Sequence, residues 1–304
     1  MMMFVAALQI QDLEDEDSQW GGSSKGRSYT ARNREIMDQR LKTLYFTDPC
    51  KYEPNIFRRR YRMQPWVFDR IMSDVANYDP YFVQRRDATG RVGLSNEQKL
   101  TCAMRQLTYV VTADFFDDYI DIAKSTAIEI LEHFTIAIWN VYHEHYLRRP
   151  TPADLRRLLD KAVERGFPGM IGSLDCSLND INVLGQSPLF NDVSCSETPH
   201  VSYEVQNRHY GQCYYLVDGI YPKWAGFVQA IKNPRTLQTK HFTRMQEAYR
   251  KDVERAFGIF QARWAIIRGP ARGWSTENLQ FIMMTCIILH NMIVEDEHDE
   301  DACS

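Results

Sequence analysis

From Phe57 onward, apolar positions recur every three or four residues. In FRRRYRMQPWVFDRIMSDV, Trp66, Phe68, Ile71, Met72 and Val75 fall near one face, which predicts a helix. LSNEQKLTCAMRQLTYVV predicts a second, with Ser95 as N-cap and a stripe through Leu100, Met104, Leu107 and Val111. TADFFDDYIDIAKSTAIEILEHFTIAIW predicts a short helix, a tight turn at Asp121–Ala123 and a longer helix from Ser125. That spacing suits a helix-turn-helix with Lys124, Ser125, Thr126 and Glu129 near the exposed start of the second helix. Plain helical packing gives the same pattern. RRPTPADLRRLLDKAVERGFPG then reads as a linker, a capped helix and a Gly/Pro stop.

Beyond this point strands and helices mix. GMIGSLD is a short apolar strand running into Asp175, and QCYYLVDGIYP is another running into Asp218. FTRMQEAYRKDVERAFGIFQARWAII predicts a long amphipathic helix with a stripe through Met245, Tyr249, Val253, Phe257, Phe260 and Trp264. ENLQFIMMTCIILHNMIVE is apolar nearly all round, as a buried helix is. His290 and Asn291 within it read as buried structural groups. Before Phe57, residues 1–50 read as a tail: an acidic run, the linker GGSSKGRS, and a polar stretch of some helical character, ARNREIMDQRLKTLYF.

Composition changes this picture little. With 304 residues, 44% hydrophobic and 25% charged, the chain is long enough for two modest domains. The seven cysteines are scattered and form no CxxC pair, which argues against a disulfide framework or zinc site and for a reducing compartment. No unbroken apolar run approaches the roughly 18 residues of a membrane span, and MMMFVAALQI has no basic leader, so no membrane partner is expected. Charge distribution matters more. The formal net charge is −4, yet residues 1–20 hold five acids and residues 295–304 hold six, with no Lys or Arg in either; without those eleven charges the segment between carries +7. A mildly basic body permits contact with DNA phosphates, and Arg58, Arg59, Arg60 and Arg62 are the densest cluster. A solvated helix end is the plainer reading of that cluster.

Three acids stand at suggestive places: Asp175 and Asp218 at strand ends, Glu254 on the long helix. Two parallel strands ending in Asp, with a Glu from a packed helix, can hold two divalent cations for phosphodiester chemistry. Such carboxylates, about 4 Å apart, repel by roughly 4 kcal/mol per pair at an effective dielectric of 20, and so need a metal or a proton. Each acid also has a plain explanation. Asp175 could cap a helix, Asp218 could start the turn at DGIYP, and Glu254 could pair with Arg250 on the helix surface.

Taken in order, the blocks FRRRYRM…VFDRI, YFVQRRDATGRVGLS, RGFPGMIGSLDC, NDINVLGQSPLF, YYLVDGIYPKWAGFV, RKDVERAFGIFQARWAI and IILHNMIVEDE resemble the plant PIF/Harbinger transposase family and its domesticated, antagonist-of-Polycomb-type relatives. The likeness runs from about Phe57 to Glu297. It implies an α/β, mostly helical protein: a helical, helix-turn-helix-like region at 51–165, an RNase H-like DDE nuclease domain at 166–297, and short tails at 1–50 and 298–304. It implies Asp175, Asp218 and Glu254 as catalytic acids, and Asp180 beside them as a further ligand of Mg²⁺ or Mn²⁺. The thirty-six positions from Asp218 to Glu254 match the family's spacing. The resemblance also implies DNA as substrate, a nuclear location, a separate Myb-like DNA-binding partner and homo-oligomers.

One departure stands out. The family separates the LDC and NDINVL blocks by a long segment holding the second and third strands of the sheet. Here Cys176 is followed directly by Ser177-Leu178-Asn179-Asp180. Two strands with their turns need at least about 15 residues. A β-hairpin is therefore missing, and the strand before Asp175 is expected to become an exposed sheet edge. Three readings follow: a metal-dependent nuclease of reduced activity, an inactive DNA- or chromatin-associated binding or scaffold protein, or a degenerate or misspliced product that folds poorly.

Overall fold

The computed structural model describes residues 32–86, 90–109, 111, 115–174, 200–205, 207–269 and 274–303. By backbone contacts they group into two units, one built from the described residues of 32–147 with 261–303 and the other from those of 148–260.

The first unit is helical. Its helices are α1 (Arg34–Tyr45), α2 (Pro54–Tyr61), α3 (Pro65–Tyr78), α4 (Asn96–Tyr109), α5 (Phe115–Ile120) and α6 (Lys124–Tyr146). The polar stretch read as tail with helical character forms α1, because Leu41 and Tyr45 find a core to bury in. The pattern from Phe57 to Val75 reads as one helix, but the structure breaks it between α2 and α3. Arg62 is left-handed at φ 64°, and Pro65 restarts the chain at the first turn of α3. The break turns Trp66 outward: it is 52% exposed and its indole N–H donates to Asp296 at 2.8 Å, while Phe68, Ile71 and Val75 are buried.

α4 is buried on nearly every face and packs against α1, α2, α3 and α6. Ser95 caps it as expected: its hydroxyl accepts from Gln98 N and the Gln98 side chain accepts from Ser95 N. The turn between α5 and α6 falls where the sequence places it, with Asp121 left-handed at φ 55° and α6 starting one residue early, at Lys124. Asp121 and Asp117 also tie down the chain ahead of α1, through Asn33 N and a two-pronged pair with Arg32.

The second unit opens with α7 (Pro152–Glu164), capped reciprocally by Thr151 and Asp154 and stopped at Gly166, φ +81°. Strands β1 (Met170–Ser173), β4 (Tyr214–Val217) and β5 (Phe227–Gln229) form a parallel sheet in the order β1–β4–β5. β2 (His200–Val205) and β3 (Arg208–Gln212) form a separate antiparallel ribbon leading into β4. On the edge of the sheet, β1 has no strand neighbour on its outer side among the described residues, which is where a hairpin was expected to be missing.

Alternation along β4 divides two small cores. Leu216 faces one, with Ala162, Phe167 and Met170, against which Phe242, Met245 and Tyr249 of α8 (Leu237–Arg263) pack. Val217 faces the other, with Tyr221 and Phe227.

In the helical unit the final helix, α9 (Thr276–Cys303), lies along α6. Its window Thr276–His298 is long and apolar enough to cross a membrane by length and composition. Its middle is nonetheless core: Cys286 to Ile293 are buried, and Thr285 donates to the Thr135 carbonyl of α6. The helix also continues through its acidic end to Cys303 rather than stopping at the apolar run.

Candidate functional site

The second unit brings two of the four expected acids together. Asp218 follows directly on β4, the middle strand, where the parallel arrangement points chain ends the same way. Glu254 projects from α8. What joins them is Arg250, one turn before Glu254. Its Nη2 lies 2.9 Å from Glu254 Oε1, and its Nη1 lies 3.9 Å from Asp218 Oδ2. The two carboxylates thus address opposite ends of one guanidinium. Asp175 and Asp180 lie outside the described residues.

Both plain explanations hold alongside this convergence. Asp218 Oδ1 accepts from Gly219 N and its carbonyl accepts from Tyr221 N, so it does start the DGIYP turn. Glu254 does make the four-residue helix pair. Since both side chains are nearly half exposed, at 46% and 44%, each ion pair is worth under about 1 kcal/mol. No three His, Cys, Asp or Glu side chains come together among the described residues.

One residue that sets this geometry was not singled out from the sequence. Gln246, 1% exposed, lies one turn before Arg250, and its Nε2 donates to the carbonyls of Val217 at 3.0 Å and Val228 at 3.3 Å. It fastens α8 beneath the ends of β4 and β5, next to Asp218. Its only signal was a glutamine adjoining the apolar stripe at Met245. Replacing it by leucine leaves two strand-end carbonyls short of a donor. Gln246→Leu is expected to cost about 1–3 kcal/mol in urea unfolding, against no change for Gln238→Leu on the exposed first turn of α8.

The candidate DNA-contact residues lie in the helical unit. Arg58 is paired with Glu297 at 2.9 Å, Arg59 is exposed, and Arg60 and Arg62 lie against tyrosine rings. Lys124 and Ser125 are exposed and Thr126 half-buried at the start of α6.

A family model described as plant transposon protein matches residues 144–178 and 176–301, just over half of the chain. The chain belongs to the plant transposon protein family. The two matched pieces of this transposon family meet at residues 176–178, the place where the LDC and NDINVL blocks adjoin. A second model, a domain of unknown function (DUF8418), matches residues 38–76, across α1 to α3. No curated protein and no solved structure matches the chain.

Proposed function

We propose that this plant transposon protein is a PIF/Harbinger-type DDE transposase descendant on an RNase H-like frame. It keeps the acids of a two-metal DNA nuclease and has lost most of its cleavage. The observation that carries this reading is the meeting of Asp218, at the tip of the middle parallel strand, with Glu254, from the helix packed on that sheet. The family match broken at residues 176–178 supports a missing hairpin there.

In this reading Asp218 and Glu254, with Asp175 and Asp180, hold Mg²⁺ or Mn²⁺. Bound divalent ions supply a polarised water and charge stabilisation at the leaving oxygen. The chain's own residues weaken that arrangement in two ways. Arg250 already stands between the two described carboxylates. And β1, which leads into Asp175, has no outer strand among the described residues to hold its tip within the roughly 0.5 Å that catalytic constellations tolerate. A nuclear, DNA-associated role with a Myb-like partner and self-association accords with the family resemblance.

The test is plasmid nicking in Mg²⁺ or Mn²⁺. The chain and its Asp218→Asn variant are expected to nick equally, at background. Inserting a hairpin of about 15 residues after Cys176 is expected to restore nicking that Asp218→Asn abolishes. Strong nicking by the unmodified chain that disappears in Asp218→Asn overturns the loss of activity; an insertion protein that folds yet stays silent overturns the descent.

A further inference from the structure

A group of arginines in the helical unit has rings for neighbours and no acid. Arg60, at the end of α2, lies 4.2 Å from the Tyr52 ring centre and 5.6 Å from that of Tyr45, and donates to the Tyr45 hydroxyl. Arg105, from α4, reaches the same hydroxyl at 3.4 Å and lies 4.7 Å from the Tyr119 ring. Arg62 and Arg105 both lie over Tyr109, at 5.7 and 5.8 Å, and that ring is 38% exposed. Two guanidiniums therefore converge on one phenol oxygen, with a third alongside. Among the described residues no Asp or Glu pairs with any of the three; Glu297 of the same unit is engaged by Arg58 and Arg263.

Arg62 and Arg105 also keep unfilled donors. A guanidinium carries five N–H donors and no acceptor. Arg105 makes one long hydrogen bond, and the Nε atoms of Arg62 and Arg105 are buried with no acceptor in reach. Ring faces attract these cations but accept few of their hydrogen bonds. The C-terminal end of α2 attracts basic groups too, yet its dipole amounts to about half an elementary charge. Three partly buried like charges, two of them with spare donors, are incomplete without an anion.

The geometry points to an anion-binding strip, Arg60, Arg62 and Arg105 in a tyrosine frame, that grips the phosphodiester backbone of duplex DNA. Guanidiniums pair with phosphate oxygens through two parallel donors. Because the Tyr45 and Tyr52 faces are taken by Arg60, bases have no ring to stack on there, and contact is to the backbone, independent of sequence. This deepens the DNA side of the proposed function, but needs no metal and no cleavage.

The experiment measures binding of the full chain to a short random-sequence duplex by anisotropy in EDTA, across a salt series. Failure of the metal site leaves this readout untouched. Each phosphate contact contributes about 0.9 to the slope of log K against log salt. Arg60→Gln and Arg105→Gln are each expected to lower the slope by about 1. Arg105→Lys, which keeps the charge but not the planar fork, keeps the slope, whereas a purely structural arginine would be lost equally in both variants. Arg156→Gln on exposed α7 leaves it unchanged. On the unmodified chain, phenylglyoxal labelling of Arg60 and Arg105 is expected to drop at least severalfold when duplex is bound. Equal labelling with and without DNA, folded Gln variants with the original slope, or no duplex binding at low salt each overturn the proposal.

Discussion

Leu216→Ala is expected to melt the sheet unit on its own, leaving the helical unit folded. Leu216 is fully buried in the middle strand of a three-stranded sheet, and the cluster around it is small: Ala162, Phe167 and Met170, with partly buried flanks from α8. Truncating a buried leucine removes its transfer energy and leaves a cavity, together about 2–5 kcal/mol. Whole domains are stable by only about 5–15 kcal/mol, and a cluster this small is a large share of such a unit's core. Calorimetry should show a new low-temperature transition carrying part of the unfolding enthalpy. Near-ultraviolet circular dichroism should lose tyrosine and tryptophan signal at that transition while most of the helical signal persists. One unchanged, single transition in Leu216→Ala would show that this cluster does not hold the unit together.

Acid is expected to destabilise the helical unit through His290. This side chain, 4% exposed on α9, has its pKa pushed down to about 4, first by burial and next by the Arg263 guanidinium, with Glu297 acting weakly in the other direction. In the unfolded chain a histidine titrates near 6.5. Above that value it is neutral in both states and costs nothing. As pH falls from about 6.5 towards 4, the unfolded state takes up a proton that the folded state refuses, so stability drops and then levels off once both forms are protonated. The full shift corresponds to about 3 kcal/mol. Urea midpoints measured from pH 7 to 4 should fall in the unmodified chain by that order more than in His290→Gln. Parallel pH curves for the two proteins would remove His290 as the cause, whatever the absolute stability of the variant.

Much of the architecture was legible along the chain. Ser95 and Thr151 marked helix starts because a side-chain oxygen ahead of a periodic stripe satisfies orphan N–H groups, a purely local matter. The turn at Asp121 and the two strands leading to Asp175 and Asp218 were legible for the same reason. The break at Arg62 was not legible: period alone joins Phe57 to Val75, and only a left-handed residue next to Pro65 separates α2 from α3. Trp66 misled for that reason, since its face depends on where the helix begins.

The candidate site divides the same way. Residue type and order along the chain singled out Asp175, Asp218 and Glu254, of which the last two lie among the described residues, and the shortened LDC-to-NDINVL spacing led to the expectation of an exposed edge at the strand before Asp175. Those are properties of covalent sequence: which groups exist, and how many residues are available to build strands between them. Only the tertiary structure decided that Arg250 bridges the two acids, that Gln246 fastens α8 to the ends of β4 and β5, and that Glu297 neutralises Arg58 while Arg60, Arg62 and Arg105 gather among tyrosines without one. Each of these depends on the rotation of a helix about its axis and on which distant element it packs against. Burial of the whole core sets that rotation, and no local stretch of residues encodes it.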